Sequence, residues 1–111
     1  MEASKADIVR GIYTAFAAGE RQAVDDLLAE DFKFTSPDDP NIDKATYFER
    51  CWPNHDHIRS FHIEKLFEQG DEVFVRYEAE RTNGERFRNT EYLRLEGNQI
   101  KEVQVYYGAS L

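Results

Sequence analysis

Residues 73–95 read VFVRYEAERTNGERFRNTEYLRL, and their alternation decides the fold class. In an extended strand Val73, Val75, Tyr77 and Ala79 share one face, and Phe74, Arg76, Glu78 and Glu80 share the other. Asn83-Gly84 is the strongest short hairpin signal in the chain. Beyond it the split repeats, with Phe87, Asn89, Glu91, Leu93 and Leu95 opposed to Arg88, Thr90, Tyr92 and Arg94. The mostly apolar face belongs against a core. On the other face arginines of one strand can stand across from glutamates of its neighbour. Phe74 and Tyr92 add apolar area among those charges, so this face is read as a self-association surface, with a plain solvated face as the alternative.

A period near 2 holds from about residue 61 to the C-terminus. It predicts strands at Phe61 to Phe67, Val73 to Arg81, Glu85 to Leu95 and Gln99 to Tyr107, joined at Gly70-Asp71, Asn83-Gly84 and Gly97-Asn98. The N-terminal half is helical instead. Ser4 with Asp7 three residues on resembles a helix start, and Ile8, Ile12, Ala15 and Phe16 follow at helical spacing until Gly19. A second helix from about Glu20 puts Ala23, Val24, Leu27 and Leu28 on one side. Phe32 and Phe34 suggest a short strand. Ser36-Pro37-Asp38-Asp39-Pro40-Asn41 reads as a loop, because prolines fix φ and Asp and Asn bond to nearby backbone. Asp43 caps a third helix, where Tyr47 and Cys51, and Phe48 and Trp52, sit four apart; Pro53 ends it, and Asn54 to Arg59 reads as a polar loop. Helices followed by a meander define an α+β fold, and no repeat or linker divides residues 1–111, which are read as one domain.

Aromatic residues at 14% and hydrophobic residues at 41% give a globular composition, and 111 residues suffice for one core. A formal charge of -8 repels phosphate backbones and anionic lipid surfaces, so neither nucleic acid nor membrane is an expected partner. Cys51 is the only cysteine and has no internal disulfide partner. Met1 to Asp7 lacks the basic and apolar pattern of a signal peptide, and no apolar run reaches membrane-spanning length. The expected compartment is the cytoplasm.

The order of elements and several local strings resemble the nuclear transport factor 2-like superfamily, in particular its small SnoaL-like members. The resemblance covers nearly the whole chain. It rests on the amphipathic first helix; on Leu27-Leu28-Ala29-Glu30-Asp31-Phe32 before Phe34-Thr35-Ser36-Pro37; and on Glu91-Tyr92-Leu93-Arg94-Leu95, Gly97, Ile100 and Tyr106-Tyr107-Gly108. It implies a cone-shaped, cystatin-like roll of three helices on a curved antiparallel sheet, a pocket inside the cone, and a homodimer formed through the outer sheet face. Similar scaffolds carry steroid isomerases, polyketide cyclases, dehydratases and transport factors, so the resemblance leaves the activity open.

Glu91 is the candidate catalytic residue, with a buried structural glutamate satisfied by tyrosine hydroxyl or asparagine amide partners as the alternative. A carboxylate on the inner face among Phe87, Leu93 and Tyr77 is desolvated, which raises its pKa toward the range of a general acid or base and suits proton transfer next to a carbonyl. Glu91 also falls where SnoaL-like cyclases tend to carry an acid. Asn89 shares its face. Tyr13, Phe34, Tyr47, Trp52, Tyr77 and Tyr107 complete the expected ligand wall, and steroid isomerases of the superfamily use a tyrosine and a second acid as donors to the enolate oxygen. His55-Asp56-His57 with His62 lacks the rigid spacing of zinc motifs and reads as an exposed loop. Asp38 and Asp39 read as turn residues and Cys51 as a packed thiol. Nucleophile-elbow, phosphate-loop, dinucleotide and paired-cysteine motifs are absent, so no cofactor and no metal are expected. The expected function is binding of a small apolar or carbonyl-containing molecule, with a cofactor-independent isomerase, cyclase or lyase as the enzymatic form. The alternatives are a non-catalytic ligand-binding protein and a dimeric interaction module.

Overall fold

The computed structural model describes residues 4–111; the reading of the first three residues as free of a leader lies outside that range. Helix α1 (Lys5–Ala18) begins where the Ser4 hydroxyl accepts the Asp7 amide at 3.1 Å and ends at Gly19, whose φ of 73° is the left-handed conformation that glycine adopts without steric cost. Helix α2 (Arg21–Leu27) follows, then strand β1 (Leu28–Ser36), strand β2 (Asp39–Asp43) and helix α3 (Lys44–Arg50). Asp43 caps α3 by accepting the Thr46 amide. A 3₁₀ helix (Trp52–His57) leads into β3 (Ile58–Gln69), β4 (Glu72–Arg81), β5 (Arg86–Glu96) and β6 (Gln99–Ser110).

The six strands run in the order β2-β1-β6-β5-β4-β3. The sheet is mixed, which corrects the expectation of an antiparallel one: β1 lies parallel to β6, and every other pair is antiparallel. That pairing joins the two ends of the chain. No local pattern encodes it, because a strand's alternation specifies its face and not its neighbour.

Two segments expected as loops carry regular structure. Residues 39–43 form β2, which sits at the sheet's edge, where Pro40 costs no ladder bond. Residues 52–57 form the 3₁₀ helix, with Pro53 in its first turn, where a missing N–H is harmless. β3 starts three residues earlier than the alternation suggested, and Leu28 opens β1 instead of closing α2.

The face assignments hold along β4 and β5. Val73, Val75, Tyr77, Ala79, Asn89, Glu91, Leu93 and Leu95 are all buried. Irregular registers in β3, between Phe87 and Asn89, and within β1 mark bulges, which bend strands and curl this sheet around the helices. Val9, Val24, Val73, Val75, Leu95 and Ile100 are fully buried and form the solid core. α1 packs against β3, and α3 covers β1.

Candidate functional site

Solid packing stops short of the open end of the curl. There a cavity of about 590 Å³ is walled by α1, α3 and the inner face of the sheet. Aromatic rings make up a large part of its wall. Tyr13, Phe61 and Tyr77 form a mutually packed trio with ring centroids 5.1–5.2 Å apart, and Phe32 and Phe34 pack on Tyr47.

Glu91 stands among these rings, 8% exposed. Its two carboxylate oxygens are held separately. The Tyr13 hydroxyl donates to Oε1 at 2.8 Å, and the Tyr77 hydroxyl donates to Oε2 at 2.5 Å. Asn89 Nδ2 donates to the Tyr77 hydroxyl oxygen at 3.3 Å, and Asn89 Oδ1 accepts the Gly108 amide at 3.1 Å. A chain of hydrogen bonds thus runs from the β6 backbone through Asn89 and Tyr77 to the carboxylate. Burial pushes the Glu91 pKa above the usual carboxylate range, opposed by the donors Tyr77 and Tyr13. Burial, reinforced by the nearby Glu91 charge, raises both tyrosine pKa values, so their protons stay available for donation.

Tyr47 is buried in the same wall, and its pKa is likewise raised by burial. Among the described residues its hydroxyl has no hydrogen-bond partner, which leaves one donor free inside the cavity. Tyr107 is half exposed at the mouth, where its hydroxyl donates to Asp38 Oδ2 at 2.7 Å.

Of the residues singled out from the sequence, Glu91, Tyr13, Phe34, Tyr47, Tyr77, Asn89 and Tyr107 all line the cavity. Trp52 does not. The 3₁₀ helix turns it onto His55, with ring centroids 4.3 Å apart, and onto the edge of Phe16. His55 and His57 are outside the cavity wall, and no group of three His, Cys, Asp or Glu among the described residues is placed to hold a metal ion. Cys51 borders the cavity with its thiol pushed up to about 12, chiefly by burial.

Asp39, read from the sequence as a turn residue, is instead buried in the cavity wall. Its Oδ2 accepts the Ser36 hydroxyl, and Arg50 Nη2 lies 2.8 Å from Oδ1 as an ion pair outside hydrogen-bond geometry. Its prolines signalled a turn; only the hidden strand β2 would have signalled burial. Phe87, on the inward face by alternation, and Phe61, read only as the start of a strand, also line the cavity, though neither was named as a ligand contact.

The outer sheet face is laced with ion pairs. Arg88 grips Glu64 with bonds of 2.6 and 3.0 Å, and Arg86 reaches Glu78 at 2.7 Å. At one edge Phe67, Phe74 and Tyr92 line up across three strands, with Phe67 68% exposed.

No helix among the described residues is long and apolar enough to cross a membrane. Solved structures share the whole architecture. An NTF2-like protein of unknown function from Cytophaga hutchinsonii superposes with a TM-score of 0.78 at 21% identity, over 96% of this chain and 92% of that one. IdmH from Streptomyces antibioticus, a candidate polyketide cyclase, gives 0.76 at 19% identity, over 94% and 91%. A protein of ketosteroid isomerase-like fold from Catenulispora acidiphila, in complex with trimethylamine, gives 0.75 at 19%, over 95% and 88%. No curated protein matches the sequence. The SnoaL-like domain matches residues 9–103, nearly the full span from α1 to β6. With the helices, the curved sheet and the inward carboxylate in place, the chain belongs to the SnoaL-like family of the NTF2-like fold.

Proposed function

We propose that this chain binds a compact, largely apolar carbonyl compound in the cavity and moves a proton on it, as an isomerase, cyclase or lyase without a cofactor. The observation that carries this reading is Glu91: a carboxylate buried in an aromatic cavity, with each oxygen anchored by a tyrosine hydroxyl. An ionised carboxylate offers about four lone-pair directions, and the tyrosines use two. The remaining directions accept a proton from the carbon beside the carbonyl. A carboxylate with a raised pKa is a better base than an exposed one, and its protonated form returns the proton at another carbon. Tyr47, with its uncommitted hydroxyl, supplies the donor to the carbonyl oxygen, where negative charge develops. Neighbours described as a polyketide cyclase candidate and as ketosteroid isomerase-like support the same direction. Expected partners are therefore the small molecule and, through the Phe67–Phe74–Tyr92 edge of the outer face, a second copy of the chain.

Exchange at the α-carbon tests the proposal. The protein is incubated with a panel of methyl ketones in heavy water, and loss of α-proton signals is followed by NMR. Glu91→Gln, which keeps size and hydrogen bonding, should slow exchange by about 10²-fold or more. Equal exchange by wild type and variant sinks the catalytic assignment, and ketones that bind without exchanging favour a ligand-binding protein.

A further inference from the structure

The main cavity continues past its mouth. A second hollow of about 500 Å³ adjoins it, and Arg81, Phe87 and Ser110 belong to both walls. At this junction one cation stands out. The arginines around it are engaged: Arg59 with Glu80 at 3.1 Å, Arg86 with Glu78 at 2.7 Å, and Arg76 and Arg88 with Glu64. The Arg81 guanidinium lies over the Phe87 ring, 4.5 Å from its centroid. Among the described residues no carboxylate oxygen comes within ion-pair distance of it, and its side chain donates no hydrogen bond. Glu85, the acid bordering the second hollow, instead accepts from Asn83 Nδ2 at 2.7 Å. Arg81 thus borders both hollows without a carboxylate partner.

The acids of the main cavity do not compete for the same role. Asp38 accepts from Tyr107, Asp39 faces Arg50, and Glu91 holds two tyrosines. An anion entering the cavity therefore meets a matching partner at Arg81. The guanidinium fork matches carboxylate geometry, and stacking on Phe87 pre-orients it. Glu91 and Phe87 are four residues apart on β5, which places the two stations about 13 Å apart along the strand.

We propose that the ligand is an elongated keto acid, its carbonyl against Glu91 and its carboxylate on Arg81 beyond Phe87. This rests on the proton-transfer reading for the carbonyl end, but the carboxylate end is testable by binding alone. The probes are oxodecanoate, a straight-chain acid with a methyl ketone at its far end, and its methyl ester, which has the same shape without the charge. Calorimetric titration should show the acid binding about tenfold tighter than the ester. Arg81→Gln, at an exposed strand end, should bring the acid down to the ester's affinity and leave the ester within twofold of wild type. Arg81→Lys should restore part of the preference, since it keeps charge and loses the fork. Equal affinity of acid and ester for the wild type overturns the proposal, as does an Arg81→Gln loss that is the same for both. Following α-proton exchange of the ester separates the two claims: exchange with no preference for the acid refutes the Arg81 station and leaves Glu91 standing. A preference abolished by Arg81→Gln without exchange does the reverse.

Discussion

Replacing Tyr77 with phenylalanine removes the hydroxyl that donates to Glu91 Oε2 at 2.5 Å and leaves the ring packed on Tyr13 and Phe61. A hydrogen bond to a charged group contributes about 1.5–3 kcal/mol, against about 0.5–1.5 for a neutral one. The difference, about 1–1.5 kcal/mol, at about 1.4 kcal/mol per pKa unit means that losing the donor raises the Glu91 pKa by roughly one unit above a value that burial already elevates. The sign for stability follows. Because the folded pKa exceeds the unfolded one, about 4.3, the folded state holds the proton more tightly. The contribution is full below the unfolded value and is lost as pH rises through the folded value. In Tyr77→Phe that window stretches upward, so the variant is penalised more at high pH than at low. Urea denaturation of wild type and variant from about pH 4 to pH 8 should show a stability difference that grows by about 1–1.5 kcal/mol across the range. Carbon NMR of the Glu91 carboxyl should show the same upward move. A stability difference independent of pH, or a Glu91 titration that moves down, refutes the view that Tyr77 holds the ionised form.

Other expectations follow from the same structure. Gly108→Ala would put a Cβ 2.1 Å from the Arg88 carbonyl oxygen, a backbone clash beside the bulge that carries Asn89; thermal melts should register a loss of about 1–3 kcal/mol, with weakened ligand binding. Cys51, with its thiol pushed up to about 12 by burial, should react with a disulfide reagent at pH 8 more than about tenfold more slowly than free cysteine; a rate like that of free cysteine would contradict its burial. Phe74→Arg should convert the dimer proposed through the outer face to monomer in sedimentation analysis and leave the cavity's ligand affinity unchanged, since Phe74 lies on the opposite side of the sheet from Glu91.

The alternation of residues 73–95 was enough to place Glu91, Asn89 and Tyr77 together, because parity along a strand fixes a face without knowledge of partners. Tyr13 and Tyr47 were legible from the helical period that turned them inward. Trp52 was not, since its four-residue spacing from Phe48 assumed one continuous helix, whereas α3 ends at Arg50 and a 3₁₀ turn redirects the ring onto His55. Asp39 was hidden for a different reason: Pro37 and Pro40 read as turn chemistry, and only pairing of β2 at the sheet's edge makes the second proline compatible with a strand. The Arg81 junction depends on two hollows meeting at strand ends, which no single segment records.

Inner-face polarity is the feature that local rules would have forbidden. Strands β4 and β5 alternate cleanly, yet at the centre of their buried face stand Tyr77, Asn89 and Glu91 where leucine or valine would pack without desolvation cost. A buried carboxylate without a cation is costly even when both oxygens accept hydrogen bonds, and apolar replacement of such groups is often neutral or stabilising. The polar group is not isolated, however. Gly108, Asn89, Tyr77, Glu91 and Tyr13 form one connected network drawn from β6, β5, β4 and α1, with the carboxylate at its inner end and the aromatic cavity beyond. Fold stability requires none of these partners to face open space. Their satisfied outer sides and cavity-facing inner sides suit the proton exchange proposed for Glu91: a fixed position, a raised pKa, and an open side from which a molecule can approach.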